Sequence, residues 1–165
     1  MASPDRSVRV DASVTGGVDL HFLEDPHRRH STASLERQLG LVLATAMRTR
    51  EEVFRKVADR ERAEAGVEAV RGWGNKAGNP GLRQAIAEIE ATGESRHRWV
   101  KVRWKREEFE VSIDAVRYSR ASTDALRWEV LSAVYDVLMD RREQYTAARR
   151  AHLGRVFSTR GEGRG

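Results

Sequence analysis

Residues 8–57 and 100–148 carry one pattern of apolar residues twice, and this duplication limits the fold more than any other feature of the chain. With Ser31 placed on Ser122, an offset of 91 residues brings Leu20 onto Val111, Phe22 onto Ile113, Thr32 onto Thr123, Leu35 onto Leu126 and Leu39 onto Val130. Further on, Ala46 meets Val137, Arg50 meets Arg141 and Phe54 meets Tyr145. Val8 and Val10 match Val100 and Val102 at an offset of 92, so the turns between differ by one residue.

Each copy opens with a period of two. Val8, Val10, Ala12 and Val14 share one face, Thr15-Gly16-Gly17 interrupts, and Val18, Leu20 and Phe22 resume. Alternation broken by adjacent glycines predicts a β-hairpin, because glycine supplies the positive φ of a tight turn. The second copy sets Val100, Val102 and Trp104 against Phe109, Val111 and Ile113, with Lys105-Arg106-Glu107-Glu108 as a turn without glycine. After a short irregular stretch, Ser31-Thr32 and Ser122-Thr123 place a hydroxyl where it can cap a helix. The period then becomes helical. Leu35, Leu39, Val42, Ala46, Val53 and Val57 form one stripe, and Leu126, Val130, Ala133, Val137, Leu138 and Tyr145 form the other.

The fold class is therefore α+β, two units of β-hairpin plus long helix. Residues 1–65 form the first unit, 66–81 a Gly/Asn-rich linker, 82–157 the second unit, and 158–165 a flexible tail. The Gly- and Arg-rich sequence after Leu153 is expected to fray. Asn79-Pro80 reads as a cap followed by proline in the first turn of a short helix over 80–91, with Leu82, Ala85, Ile86 and Ile89 apolar and Thr92-Gly93 as its stop. A hairpin beside one helix has a poor core and an open edge. Two copies cure both defects together, so the duplication predicts an intramolecular pseudo-dimer.

A chain of 165 residues holds one domain or two small ones. No apolar run approaches the roughly 20 residues that cross a bilayer, so no membrane association is expected. The start lacks a basic-then-apolar leader, which leads to a cytoplasmic expectation. Without cysteine there is neither a disulfide nor a thiolate site. The net charge of +5 is compatible with a polyanionic partner, although 30 basic residues are nearly balanced by 25 acidic ones.

From Leu82 to about Phe157 the order is helix, ATGES, VKVRW, EVSID, then STDALRWEVLSAVYDVL. This order resembles the YbaB/EbfC family of small nucleoid-associated proteins, with its leading helix, valine-alternating strand, second strand ending in Ile-Asp and long final helix. Val8 to about Val57 follows the same pattern without the leading helix. The resemblance implies a non-enzymatic, homodimeric, cytoplasmic and nucleoid-associated DNA-binding protein, here in a single-chain, duplicated version. Some YbaB-like proteins belong to specialised secretion loci, so a protein-binding adaptor or chaperone is the alternative. A homodimer of the whole chain, in addition to the internal pair, fits either reading.

Candidate phosphate contacts are Arg96, Arg98, Lys101, Arg103 and Lys105, which fall mostly on the strand face opposite Val100, Val102 and Trp104, with Arg106 at the turn. Such a row gives affinity without sequence readout. A second basic group is Arg141, Arg142, Arg149, Arg150 and Arg155 with the Arg160 and Arg164 tail; in the last turns of a helix, arginine also offsets the dipole. Trp104 reads as core, Trp128 as a helix flank, and Trp99 and Trp73 border irregular segments. His21, His27 and His30, near Glu24 and Asp25, fit no zinc spacing and read as surface groups. No cofactor or metal is expected. No nucleophile elbow, P-loop or dinucleotide fingerprint occurs, and the Glu51-Glu52 and Glu107-Glu108 pairs read as exposed.

Overall fold

A computed structural model describes residues 1–64, apart from 14 and 16, and residues 80–158; of 58, 61–64 and 153–158 it describes the backbone alone. Val14, Gly16, Trp73, Asn79, Arg160 and Arg164 lie outside the described residues, as does the linker read at 66–81 except for Pro80 and Gly81, which are helical. The chain is α+β. Two small antiparallel sheets, β1 (Val8–Ala12) with β2 (Val18–Phe22) and β3 (Glu90–Glu94), β4 (Val100–Lys105), β5 (Glu108–Ile113) in that order, accompany two long helices.

Both hairpins form where the alternation placed them. In the first, Val8 pairs with Phe22 and Val10 with Leu20, and Ser13 closes the turn by donating its amide to Gly17 O and accepting from Gly17 N. In the second, Trp104 pairs with Phe109 and Lys105 with Glu108, leaving Arg106-Glu107 as the loop. Arg106 takes the positive φ, 55°, that glycine would ordinarily supply. The irregular stretches after the hairpins are single helical turns, α1 (Pro26–Arg29) and α4 (Ala115–Tyr118), capped by Asp25 and Asp114. Ser31 and Ser122 then accept from the amides of Ser34 and Ala125 and open α2 (Thr32–Glu64) and α5 (Thr123–Ser158). Residues 154–158, read from sequence as a fraying tail, are helical.

One core draws on both copies. Val8, Val10, Leu20, Leu35, Leu39 and Leu43 from the first bury with Val100, Val102, Leu126, Val130 and Val137 from the second. Each long helix packs on the first strand of its own hairpin and on the second strand of the other. Helix α2 lies against β1 and β5, and α5 against β4 and β2, as well as β3. Equivalent positions make the crossing bonds. Glu36 of α2 accepts from the Ile113 amide of β5 at 2.6 Å, and Arg127 of α5, 91 residues later, donates to the Leu20 carbonyl of β2 at 2.6 Å. The apolar stripes end sooner than the periodicity suggests. Met47 is buried, whereas Val53, Val57 and Tyr145 are exposed.

The short central helix also ends early. Helix α3 spans Pro80–Ala87, and the Thr92-Gly93 read as its stop lies inside strand β3, paired with Arg103 and Val102. Gly93 is there for a close approach. A Cβ on it would overlap the Ala133 carbonyl and the Val137 backbone of α5. The outer edge of β3 is sealed by acceptors spaced along α5. Thr92 N donates to Asp140, Glu94 N to Asp136, Arg96 N to Ser132 and His97 N to Glu129. Helix side chains thus stand where a fourth strand would pair.

The duplication reaches further upstream than the apolar pattern reveals. Ser3-x-x-Arg6-x-Val8 and Ser95-x-x-Arg98-x-Val100 form the same turn, with both arginines at φ 60°. Each serine amide donates to its valine carbonyl, and each serine hydroxyl accepts from its valine amide. Ala2 bridges Arg9 as Glu94 pairs with Lys101, so residues 1–3 lie along the β1 edge as β3 lies along β4.

Candidate nucleic-acid interface

The strand cations do share one face, but that face also carries carboxylates. Arg103 reaches Glu90 at 2.7 Å and Glu110 at 3.1 Å, and Lys105 reaches Glu90 at 2.9 Å. Lys101 lies 3.2 Å from Glu94, and Arg98 lies 3.6 Å from the same side chain. The antiparallel register is the cause. Residues paired directly across neighbouring strands project from the same face, so Lys101, Arg103 and Lys105 stand beside Glu90, Glu94, Glu108 and Glu110. The pairing to Arg103 and Lys105 holds the Glu90 carboxyl down to about 2, and Glu90 and Glu110 raise Arg103 above the usual guanidinium range. Three cations against four carboxylates make a nearly neutral lattice on this face.

Arg96 and Arg106 sit on the turns at the two ends of β4, one engaged through its backbone amide with Ser132 and one through its carbonyl with Trp104. Their side chains have no carboxylate partner among the described residues. Arg149 and Arg150 are exposed on α5, with Arg149 over the Tyr145 ring at 5.8 Å. They lie far along the chain from the strand set, yet with Arg142 they form a second group with no carboxylate partner among the described residues. Seven residues separate Arg142 from Arg149, two turns or about 10.5 Å on one side of the helix.

Arg141 belongs to neither group. Its guanidinium stacks 3.8 Å over the Trp104 ring, burial lowers its pKa, and its Nη1 is buried without a hydrogen-bond partner. Trp104 is core as expected, 4.7 Å from Phe109, with its Nε1 donating to Arg106 O. Trp99, read as bordering an irregular segment, is buried, because the Ser95 hydroxyl accepts from its amide and draws it inward. Trp128 is exposed, with Arg127 beside its ring.

His30, read as a surface group, is also buried. Its Nε2 is 2.8 Å from Ser7 Oγ, its Nδ1 is 3.0 Å from Ser34 Oγ, and Asp5 lies 3.4 Å away. Burial would raise the Asp5 carboxyl, but hydrogen bonds from Ser7 and Ser3 and the adjacent imidazole hold it at about 2. The imidazole is closed to solvent while Asp5 stays partly exposed, and the cluster pins the first turn onto α2. Among the described residues no group of three His, Asp or Glu side chains converges as a metal site, and no helix is long and apolar enough to cross a membrane.

Comparison with models of known protein families, with curated proteins and with solved structures finds no match.

Proposed function

We propose that the chain is a non-enzymatic, sequence-tolerant DNA-binding protein built as an internal pseudo-dimer of YbaB-like halves, and that it meets phosphates through the C-terminal half of α5. Reciprocal packing of α2 and α5 across the two hairpins, with Glu36 and Arg127 at equivalent positions, supports the pseudo-dimer. One observation carries the DNA reading. Arg142, Arg149 and Arg150 lie in the C-terminal half of α5 without carboxylate partners among the described residues, whereas Lys101, Arg103 and Lys105 share their face with four carboxylates. Guanidinium groups on a rigid helix can each displace condensed counterions from a duplex without reading bases.

Three such contacts give a salt slope near −2.7, so affinity falls about 40-fold between 50 and 200 mM salt. A gel shift with non-specific duplex tests this. Reversing Arg142, Arg149 and Arg150 to glutamate abolishes the shift, and reversing Arg103 and Lys105 leaves it within about twofold. The opposite ranking returns the interface to the strand face. No shift of wild type at low salt removes DNA as the partner and leaves the protein-binding adaptor.

A further inference from the structure

The two crossing contacts between helix and hairpin are equivalent by sequence but are filled differently. On one side, Tyr135 of α5 covers the edge of β2, its hydroxyl accepting from Val18 N at 3.1 Å and donating to Val18 O at 3.0 Å. The residue 91 positions before Tyr135 is Ala44, and the one before Leu131 is Gly40. Opposite them stands Phe109, the counterpart of Val18. Gly40 approaches so closely that a Cβ would come within 2.6 Å of Phe109 O. A groove of about 750 Å³ therefore runs between α2 and β5 where the other crossing holds a tyrosine. Gly40, Leu41, Ala44 and Phe109 line it with apolar surface, and its charged lining, Glu36, Arg37, Glu107, Glu108 and Glu110, is acidic on balance. Leu41 is 47% exposed, and neither Glu107 nor Glu108 has an ion-pair partner among the described residues, since Lys105 pairs with Glu90 and Arg103 with Glu90 and Glu110.

The chain carries a segment of complementary chemistry. Tyr145 is 41% exposed on α5, between Arg142 on one side and Arg149 and Arg150 on the other. A chain cannot present this segment to its own groove. The amides of Thr92 and Glu94 fix α5 along β3, and β3 and β5 are opposite edges of the sheet.

We infer that the groove between α2 and β5 receives the Tyr145-bearing end of α5 from a second copy of this chain. The aromatic ring enters the space that Ala44 leaves open, and the flanking arginines meet Glu107 and Glu108. Two copies that exchange α5 ends in this way satisfy both grooves about one twofold axis, which closes the assembly as a dimer. The contact is independent of the DNA reading and competes with it for the same arginines.

Sedimentation of the full chain at low salt tests the contact. Wild type is expected to dimerise and to weaken as salt rises, because exposed ion pairs are screened. Ala44→Tyr lets the chain fill its own groove, and Leu41→Arg, at an exposed position, repels a basic visitor. Each raises the dimer dissociation constant at least about tenfold, or about 1.4 kcal/mol, as does Tyr145→Ala. Circular dichroism confirms that each variant is folded, and duplex binding by Ala44→Tyr stays at or above the wild-type level, since its arginines are intact. A wild-type chain that stays monomeric at about 100 μM, or a dimer that Ala44→Tyr and Leu41→Arg both leave unchanged, overturns the assignment.

Discussion

Gly93→Ala separates two accounts of the same residue by the size of its effect. As the left-handed cap of a helix ending at Thr92-Gly93, the glycine would be worth about 1–2 kcal/mol, the cost of placing an L-residue in that conformation. In the structure it lies within β3, and the atoms that a Cβ would overlap are the Ala133 carbonyl and the Val137 backbone. Backbone in the middle of a long helix cannot swing aside as a side chain can. The strand must lift, at about 1–3 kcal/mol for an overpacked contact. Lifting stretches the bonds from Thr92 N to Asp140 and from Glu94 N to Asp136, which are solvent-exposed and worth about 1 kcal/mol each. The total is about 3–5 kcal/mol, a large share of the stability of a domain. Urea unfolding followed by circular dichroism measures it, with Gly17→Ala as a control, since a Cβ there meets only the Ser13 hydroxyl at 3.2 Å. A loss below about 2 kcal/mol for Gly93→Ala would refute the close approach of β3 to α5.

Two further outcomes follow from the same contacts. Tyr135→Phe removes a hydroxyl that both accepts from and donates to Val18, and equilibrium unfolding should show a loss of about 1–2 kcal/mol without change in the helical signal. Glu90 is held at about 2 against an ordinary 4.5, so its pairing with Arg103 and Lys105 is complete above the ordinary value and is lost as the pH falls towards 2. Stability of wild type should therefore drop relative to Glu90→Gln between those limits; parallel curves would show that the lattice contributes nothing.

Both hairpins, both serine caps and the shared core were legible in the sequence because short-range chemistry sets them: alternation, turn geometry, and a hydroxyl before an apolar stripe. Strand β3 was not. Glu90-Ala91-Thr92-Gly93-Glu94 has little intrinsic β-preference, and it is held extended by β4 on one side and the acceptors of α5 on the other. The neutral character of the basic face depends on the same strand. Glu108 and Glu110 were visible opposite Lys105 and Arg103, but Glu90 and Glu94 join them only once β3 is placed beside β4. Arg141 shows a different limit, because its cover is the Trp104 ring, 37 positions earlier in the chain. The Ser-x-x-Arg-x-Val repeat was present in the letters at both ends, hidden because its conserved geometry resides in a polar turn rather than an apolar pattern.

Glu36 and Arg127 carry one further consequence. Across a true twofold between identical subunits, a residue and its mate share a codon, so an acid on one side forces an acid on the other. Here the two positions are encoded separately, and the crossing bond to β5 uses an acceptor while that to β2 uses a donor. Continuity of the polypeptide thereby frees each half to specialise: one crossing can be closed with tyrosine while its counterpart, at Ala44, stays hollow.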